Sequence, residues 1–143
     1  MNRGADQLIL LDTHAWIWLM NDDEPLRSSA ALGPVEASAQ KAQARVSAIS
    51  IWEVGMLEAK NRISLRSPVD EWVRQALTAP GISLVPLTPE IALASSRLPS
   101  ELPGDPADRI IVATARILNA TLVTRDKKII AYSKEGHVSV LAI

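Results

Sequence analysis

The sequence predicts a single α/β domain, a three-layer α/β/α sandwich around a central, mostly parallel, five-stranded sheet. Five short apolar runs of strand length alternate with segments of helical periodicity, the order typical of such folds. The 143 residues are enough for one hydrophobic core. No repeat, low-complexity tract or linker divides the chain. We therefore expect residues 1–143 to form one domain.

The elements are predicted from apolar runs and from helix start and stop signals. The first strand ends at Asp12-Thr13, a helix-start pair, and Asp22-Asp23-Glu24-Pro25 ends the helix that follows. Three prolines and a glycine predict a loop over 98–106. The predicted strands cover 8–11, 46–49, 82–87, 121–124 and 138–141, and further helices cover about 34–44, 51–60, 68–77, 89–96 and 107–119.

Composition excludes several classes of protein. The net charge of −1 argues against a chain that binds nucleic acid over its whole surface, but it is compatible with a local basic rim. Absence of cysteine excludes disulfides, zinc–thiolate sites and thiol nucleophiles. No segment approaches the roughly 20 apolar residues of a membrane span, so we expect a cytoplasmic protein without membrane contact.

Four acidic residues follow the predicted strands. In an open α/β sheet, ligands bind beyond the carboxyl ends of the strands. Asp12 directly follows the first strand, Glu53 lies beyond the second, and Asp126 follows the fourth. Asp108 opens the long helix after the proline-rich loop. These carboxylates converge if the strands that carry them are neighbours.

Each of these acids also has a structural interpretation. Ser50 and Glu53 have the spacing of a capping box, and Asp105-Pro106 reads as an N-cap followed by a first-turn proline. Asp12 and Asp126 could cap the helices that follow them. Taken singly, each position fits a cap at least as well as a functional role.

Taken together, the acids favour a cation site. Converging carboxylates repel one another unless a cation or a proton neutralises them. A set of aspartates and glutamates without cysteine and with only two histidines suits Mg²⁺ or Mn²⁺. One or two such ions could activate water at a phosphoryl group.

Four motifs in this chain resemble those of PIN domains, in the order and at the spacings typical of that family. They are Leu-Leu-Asp-Thr over 10–13, Ser-Ala-Ile-Ser-Ile-Trp-Glu over 47–53, the segment from Asp105 to Ala115, and Ala-Thr-Leu-Val-Thr-Arg-Asp over 120–126. The resemblance covers nearly the whole chain. It implies a parallel five-stranded α/β/α fold and cleavage of RNA phosphodiesters that depends on one or two Mg²⁺ or Mn²⁺ ions.

The resemblance also assigns roles to residues. It implies Thr124 as a hydroxyl near the site, Thr13 as a supporting residue, and Asp105 as a neighbour that we expect to cap its helix. Related domains often carry His and Arg before the Asp-Pro pair, where this chain has Pro103 and Gly104, so the resemblance assigns no substrate contact to that loop. The catalytic and metal-binding acids carried over by position are Asp12, Glu53, Asp108 and Asp126.

In size and motif order the chain is most similar to VapC-like toxins of toxin–antitoxin pairs. That similarity implies a cognate antitoxin that covers the cleft, and homodimerisation. Weak helical amphipathicity and many small residues make the segment from Ser28 to Ala44 our candidate for one wall of an apolar groove beside the acids.

The remaining candidates have two interpretations each. Arg125, Lys127 and Lys128 bracket Asp126 and could contact phosphates, or could form a solvated helix turn. His14 and His137 lack a nearby partner histidine, which disfavours a metal or general-base role. The tryptophans at 16, 18 and 52 could stack on bases, although the apolar neighbours of Trp16 and Trp52 favour core or dimer packing.

Two alternative functions stay open. A phosphatase or phosphoacceptor domain would use Asp12 as a nucleophile, but position 14 is His where the dehalogenase pattern has a second Asp. A PIN-like binding module without catalysis is the other alternative, against which the presence of all four acids argues. The favoured mechanism is hydrolysis, with Glu53 ligating metal or orienting the attacking water.

Overall fold

The structure is a computed structural model that describes residues 7–143. The strands are β1 (Ile9–Leu11), β2 (Ala44–Ser47), β3 (Ile82–Val85), β4 (Thr121–Thr124) and β5 (Ser139–Ala142). The helices are α1 (Thr13–Asn21), α2 (Glu24–Arg27), α3 (Leu32–Gln40), α4 (Ala48–Ala59), α5 (Val69–Leu77), α6 (Pro89–Ser95), α7 (Pro106–Leu118) and α8 (Lys127–Ser133).

The five strands form one sheet in the order β3-β2-β1-β4-β5, and every neighbouring pair is parallel. The chain moves outward from β1 to β3 on one side and then restarts beside β1 with β4 on the other. The boundary between β1 and β4 is therefore the topological switch point, where open α/β sheets hold their ligands.

Helices cover both faces of the sheet, which confirms the predicted three layers. Alternation along β1 sends Leu10 to a core shared with α6, α7 and α8, and sends Ile9 and Leu11 to a core shared with α1, α3, α4 and α5. Trp16 is fully buried in the second core, where its ring meets that of Trp72 edge-on at 5.0 Å between centroids. Such aromatic pairs stabilise a core beyond the area they bury.

Two boundaries near the start of the chain differ from the predictions. Strand β2 ends at Ser47 rather than at Ile49, because Ser47 adopts an extended conformation and its hydroxyl accepts the backbone N–H of Ile49. Helix α4 therefore begins at Ala48, three residues before the predicted start. The run 22–25 does end α1, but it also opens the unpredicted short helix α2, with Pro25 in its first turn.

Prolines explain two further differences. Pro34 lies in the first turn of α3, where the missing N–H breaks no helical bond, so this helix can start before it, at Leu32. The helix ends at Gln40, because Ala42 turns the chain into the left-handed region at φ 57°. Pro86 cannot donate to a neighbouring strand, and β3 ends one residue before it, at Val85. Among residues 7–143, no helix is both long and apolar enough to cross a membrane.

Candidate active site

The predicted acids meet where the switch point lies. Asp12 follows β1, Asp126 follows the neighbouring β4, and Glu53 lies on the helix after β2, the other neighbour of β1. Asp108 comes to the same place from the first turn of α7. All four line one cleft of about 580 Å³, and Asp105 joins them. Parallel pairing of the strands is what collects residues more than 100 positions apart.

Thr124 connects two of the acids. Its buried hydroxyl donates to Asp12 Oδ2 and accepts the backbone N–H of Asp126 at 3.0 Å. The other oxygen of Asp12 accepts the backbone N–H of Ala15 at 2.8 Å and so caps α1. The Asp12 carboxylate is thus held at both oxygens, and one hydroxyl aligns the ends of β1 and β4.

Thr13 holds the third acid. Its hydroxyl donates to Glu53 Oε1 at 2.5 Å and lies 2.9 Å from the hydroxyl oxygen of Ser50, which is fully buried. The capping-box interpretation of Ser50 and Glu53 is wrong, because Ser47 caps α4 and Glu53 is left for this contact. A glutamate in the second turn of a helix lies too far along to reach the cap residue's N–H.

Asp105 and Asp108 differ in their hydrogen bonds. Asp105 Oδ1 accepts the backbone N–H of Asp108 at 3.0 Å and caps α7, as expected. Asp126 likewise caps α8 through the backbone N–H groups of Lys128 and Ile129. The Asp108 carboxylate accepts no hydrogen bond from the described part of the chain. It is therefore the cleft acid with the least support from donors.

The acid cleft carries an excess of negative charge. Burial, followed by the charges of Asp105, Asp126, Glu53 and Asp12, raises the pKa of Asp108 to about 7. Burial also raises the pKa of Asp12 against the opposing effect of the Thr124 hydrogen bond, and raises the pKa of Glu53 against that of Thr13. Within residues 7–143, the salt bridges join Arg27 to Asp22 and Glu24, and none involves a cleft acid. A bound cation would relieve this repulsion.

Basic residues border the cleft on one side. Arg125 is exposed and lines the cleft, as does Arg62, which follows α4. Lys127 and Lys128 are exposed in the first turn of α8 but do not line it. The three predicted phosphate-binding residues are therefore not equivalent, since only Arg125 faces the acids.

The predicted groove wall is wrong in its position. Helix α3 does border an apolar depression, with Leu19, Pro80 and Ile82. Ile82 begins β3, so this depression lies at the amino ends of the strands, whereas the acids follow the carboxyl ends. The small residues of 28–44 indicated that α3 packs closely against its neighbours. They carried no information on where α3 lies in the fold. Apolar groups in the acid cleft come instead from α4 and α7, as Met56, Leu57 and Ile111.

Sequence reasoning missed several residues of the cleft. Met56 and Leu57 are three and four positions after Glu53, so helical spacing could have found them. Trp18, a base-stacking candidate from the sequence, does line the cleft, and His14, one helical turn before it on α1, lines it too, with the two rings 5.6 Å apart. No local signal marks Arg62, because a loop residue is brought to the site only by the fold.

The donor set fits a divalent cation. The cleft offers carboxylate oxygens and no sulfur, which suits Mg²⁺ or Mn²⁺. No group of three or more His, Asp or Glu side chains in residues 7–143 is already arranged to hold a metal ion. Holding one therefore requires rotations of these side chains. Asp108, which has no donor to lose, rotates at least cost.

Comparison with known proteins agrees with this geometry. The sequence model of the PIN domain matches residues 9–135, most of the chain. The chain belongs to the PIN domain family. Ribonuclease VapC22 of Mycobacterium tuberculosis is 37% identical to this PIN domain over 132 residues, which are 92% of this chain and 97% of that protein.

Solved structures share the fold. The VapBC2 complex of Rickettsia felis, bound to promoter DNA, contains a chain with a TM-score of 0.67 at 16% identity, covering 94% of this PIN domain and 98% of that chain. A toxin–antitoxin complex from Klebsiella pneumoniae gives a TM-score of 0.57 at 26% identity, over 84% of this chain and 88% of that one. The parallel five-stranded α/β/α architecture is thus a known PIN-domain architecture.

Proposed function

We propose that this PIN domain is an endoribonuclease that hydrolyses RNA phosphodiesters with one or two Mg²⁺ or Mn²⁺ ions. The observation that carries the proposal is the convergence of carboxylates on one cleft around Asp108, where burial, followed by the charges of the neighbouring acids, raises the pKa of Asp108 to about 7. Such a concentration of like charge is costly to the fold unless it serves to bind a cation. The name of the relative, a ribonuclease at 37% identity, supports the same reaction.

Each residue has a part in this proposal. Asp12, Asp108 and Asp126 hold the metal, and Glu53 ligates it or orients the attacking water. Thr124 fixes the Asp12 carboxylate through its hydrogen bond, and Thr13 fixes that of Glu53. When bound, the metal supplies a Lewis acid for the phosphate and a water of lowered pKa.

Metal dependence is tested with the purified chain and a fluorogenic RNA. Cleavage should be lost in EDTA and return when Mg²⁺ or Mn²⁺ is added in excess, while Ca²⁺, with its larger and more flexible coordination shell, restores less. Isothermal titration of Mn²⁺ gives the number of ions per chain and a readout independent of turnover. Undiminished cleavage in EDTA would contradict the proposal.

We further propose that the chain is the toxin of a toxin–antitoxin pair and acts in the cytoplasm. Support comes from the VapC name of the relative and from the toxin–antitoxin complex among the structural neighbours. A cognate antitoxin would bind at the acid cleft, where a basic side chain could pair with Asp108. Co-expression with the product of the neighbouring small reading frame tests this: the pair should co-elute and RNA cleavage should fall.

A homodimer is also proposed, through exposed apolar side chains outside the cleft lining. Trp52 is 58% exposed on α4, so the interpretation as core packing is wrong for it. Leu84, Leu87 and Leu93 are exposed as well, on β3, after it and on α6. A tryptophan this exposed is costly to a monomer. Sizing by light scattering should give twice the chain mass, and Trp52→Glu should reduce it.

A further inference from the structure

Three side chains form a layered group on one wall of the acid cleft. The guanidinium carbon of Arg125 lies 5.9 Å from the centroid of the Trp18 ring, within the range of a cation–π contact. The His14 ring meets Trp18 at 5.6 Å with a tilt of 48°. All three line the same cleft as the acids. We call this group the Trp18 shelf.

The Trp18 shelf is more exposed than packing requires. His14 and Arg125 are exposed, and Trp18 is half-buried, whereas Trp16 on the same helix is fully buried in the core. Trp18 therefore anchors one edge of its ring in the second core and presents the rest to the cleft. The hydrogen bonds and ion pairs of residues 7–143 include none to the Arg125 guanidinium, so its charge is available to a ligand.

We propose that the Trp18 shelf binds one unpaired base of the RNA next to the scissile phosphate. The inference rests on the proposed ribonuclease function. Aromatic rings and guanidinium planes are the groups on which proteins stack unpaired bases. Inside a duplex a base is stacked on its neighbours and cannot reach such a surface.

The positive charge of Arg125 favours a nucleic acid at this position. The cleft carboxylates repel phosphates, and a cation on the cleft wall lowers that repulsion whether or not a metal is bound. Arg125 directly precedes Asp126 in the turn between β4 and α8. A base on the Trp18 shelf would thus place its own phosphate between Arg125 and the acids. An antitoxin side chain would make less use of this wall, because it has no base to stack.

Binding of an oligoadenylate in EDTA, followed by fluorescence anisotropy, tests the inference without turnover. Trp18→Leu should weaken binding about tenfold or more, the loss expected for one stacked base, and Trp18→Phe should keep most of the affinity. An abasic oligonucleotide of the same length should bind wild type and Trp18→Leu equally. Arg125→Gln should weaken both probes, while Arg74→Gln, an exposed arginine on α5 outside the cleft lining, should weaken neither.

RNA cleavage provides the second part of the test. With metal present, Trp18→Leu and Arg125→Gln should raise KM for a single-stranded RNA, and wild type should cleave hairpin loops in preference to stems. Unchanged affinity and KM in both variants would overturn the inference while leaving the nuclease intact. Weaker binding of the antitoxin alone would overturn it in favour of a protein contact. Failure of the proposed function looks different: the probe binds through the Trp18 shelf, and wild type cleaves no RNA.

Discussion

The two ends of the sheet carry depressions of similar size and opposite character. At the amino ends of β4 and β5, a cavity of about 670 Å³ is lined by Arg116, Lys134 and His137 and by no acidic residue of the described chain. Arg116 donates to the carbonyl oxygen of His137, and His137 Nε2 lies 3.3 Å from Ser100 Oγ. Arg116 and His137 of this end are thus held by neighbouring polar groups.

The cleft at the carboxyl end is smaller, at about 580 Å³, and its carboxylates have no salt-bridge partner within residues 7–143. Asp108 lacks a hydrogen-bond donor within residues 7–143 and has a pKa of about 7. Cavity volume alone would favour the amino end over the cleft that holds the converging acids. Unbalanced charge at the ends of parallel strands, rather than volume, is what marks the candidate site.

The largest effect we expect is the loss of RNA cleavage in Asp108→Asn, by about a hundredfold or more, because a metal ligand and its charge are removed. Lys134→Gln, at the other end of the sheet, should leave cleavage unchanged. The melting temperature of Asp108→Asn without metal should hold or rise, since repulsion among the acids falls. A comparable loss of cleavage in Lys134→Gln would break the distinction between the two ends.

The next effect concerns the hydroxyl that joins β1 to β4. Thr124→Val keeps the shape of the buried side chain and removes its bonds to Asp12 and to the backbone of Asp126. We expect metal affinity, measured by Mn²⁺ titration, to fall about ten- to hundredfold, the range typical for partners of metal ligands. Thr121→Val, at the amino end of the same strand, is the matched control. Equal affinities in the two variants would contradict a supporting role for Thr124.

Much of the candidate site could be predicted from the sequence, because its acids follow strands or occupy helix-capping positions, and both leave local signals. Asp12, Asp105 and Asp126 each precede a helix, and the structure shows each of them as a cap. A helix-start signal cannot distinguish an acid that only caps a helix from one that also lines the cleft, since Asp12 and Asp126 do both. Glu53 lines the cleft with the other predicted acids, and only its alternative interpretation as part of a capping box with Ser50 is wrong, because the helix begins after Ser47.

Residues brought in by tertiary packing could not be predicted. The apolar neighbours of Trp16 favoured packing, and Trp16 is fully buried, but no local signal placed Trp18 beside the acids. Their positions two residues apart on α1 turn them to different faces, and which face meets the core depends on the sheet. Likewise, the place of α3 at the amino ends of the strands follows from the topology rather than from its own residues.

A smaller effect is expected on stability as pH changes. The folded-state pKa of Asp108, about 7, lies above its ordinary value of 3.8. Its protonated form is therefore favoured by folding, and this contribution, present at low pH, is lost as pH rises through about 7. One pKa unit corresponds to about 1.4 kcal/mol, and solvent screening at this half-exposed group reduces the total to about 1–2 kcal/mol.

Urea unfolding in EDTA at about pH 5 and pH 8 measures this effect through the linkage between protonation and stability. Wild type should lose stability between these values, and Asp108→Asn should lose less. Glu36→Gln, which removes an exposed acid of α3, is the control and should follow wild type. An Asp108→Asn protein with the same pH dependence as wild type would show that the carboxylate is not strained by its neighbours.

The smallest effect separates Asp105 from Asp108, three residues apart in the same cleft. Asp105→Ala removes the cap of α7 and should cost about 1 kcal/mol of stability. Asp105→Asn keeps a capping oxygen and removes the charge, so its stability should stay near that of wild type. Because the Asp105 carboxylate is exposed and already accepts the Asp108 N–H, cleavage in Asp105→Asn should stay within a few-fold of wild type. If Asp105→Asn instead loses cleavage and Mn²⁺ affinity as fully as Asp108→Asn, then Asp105 ligates the metal, and the helix cap is only its second role.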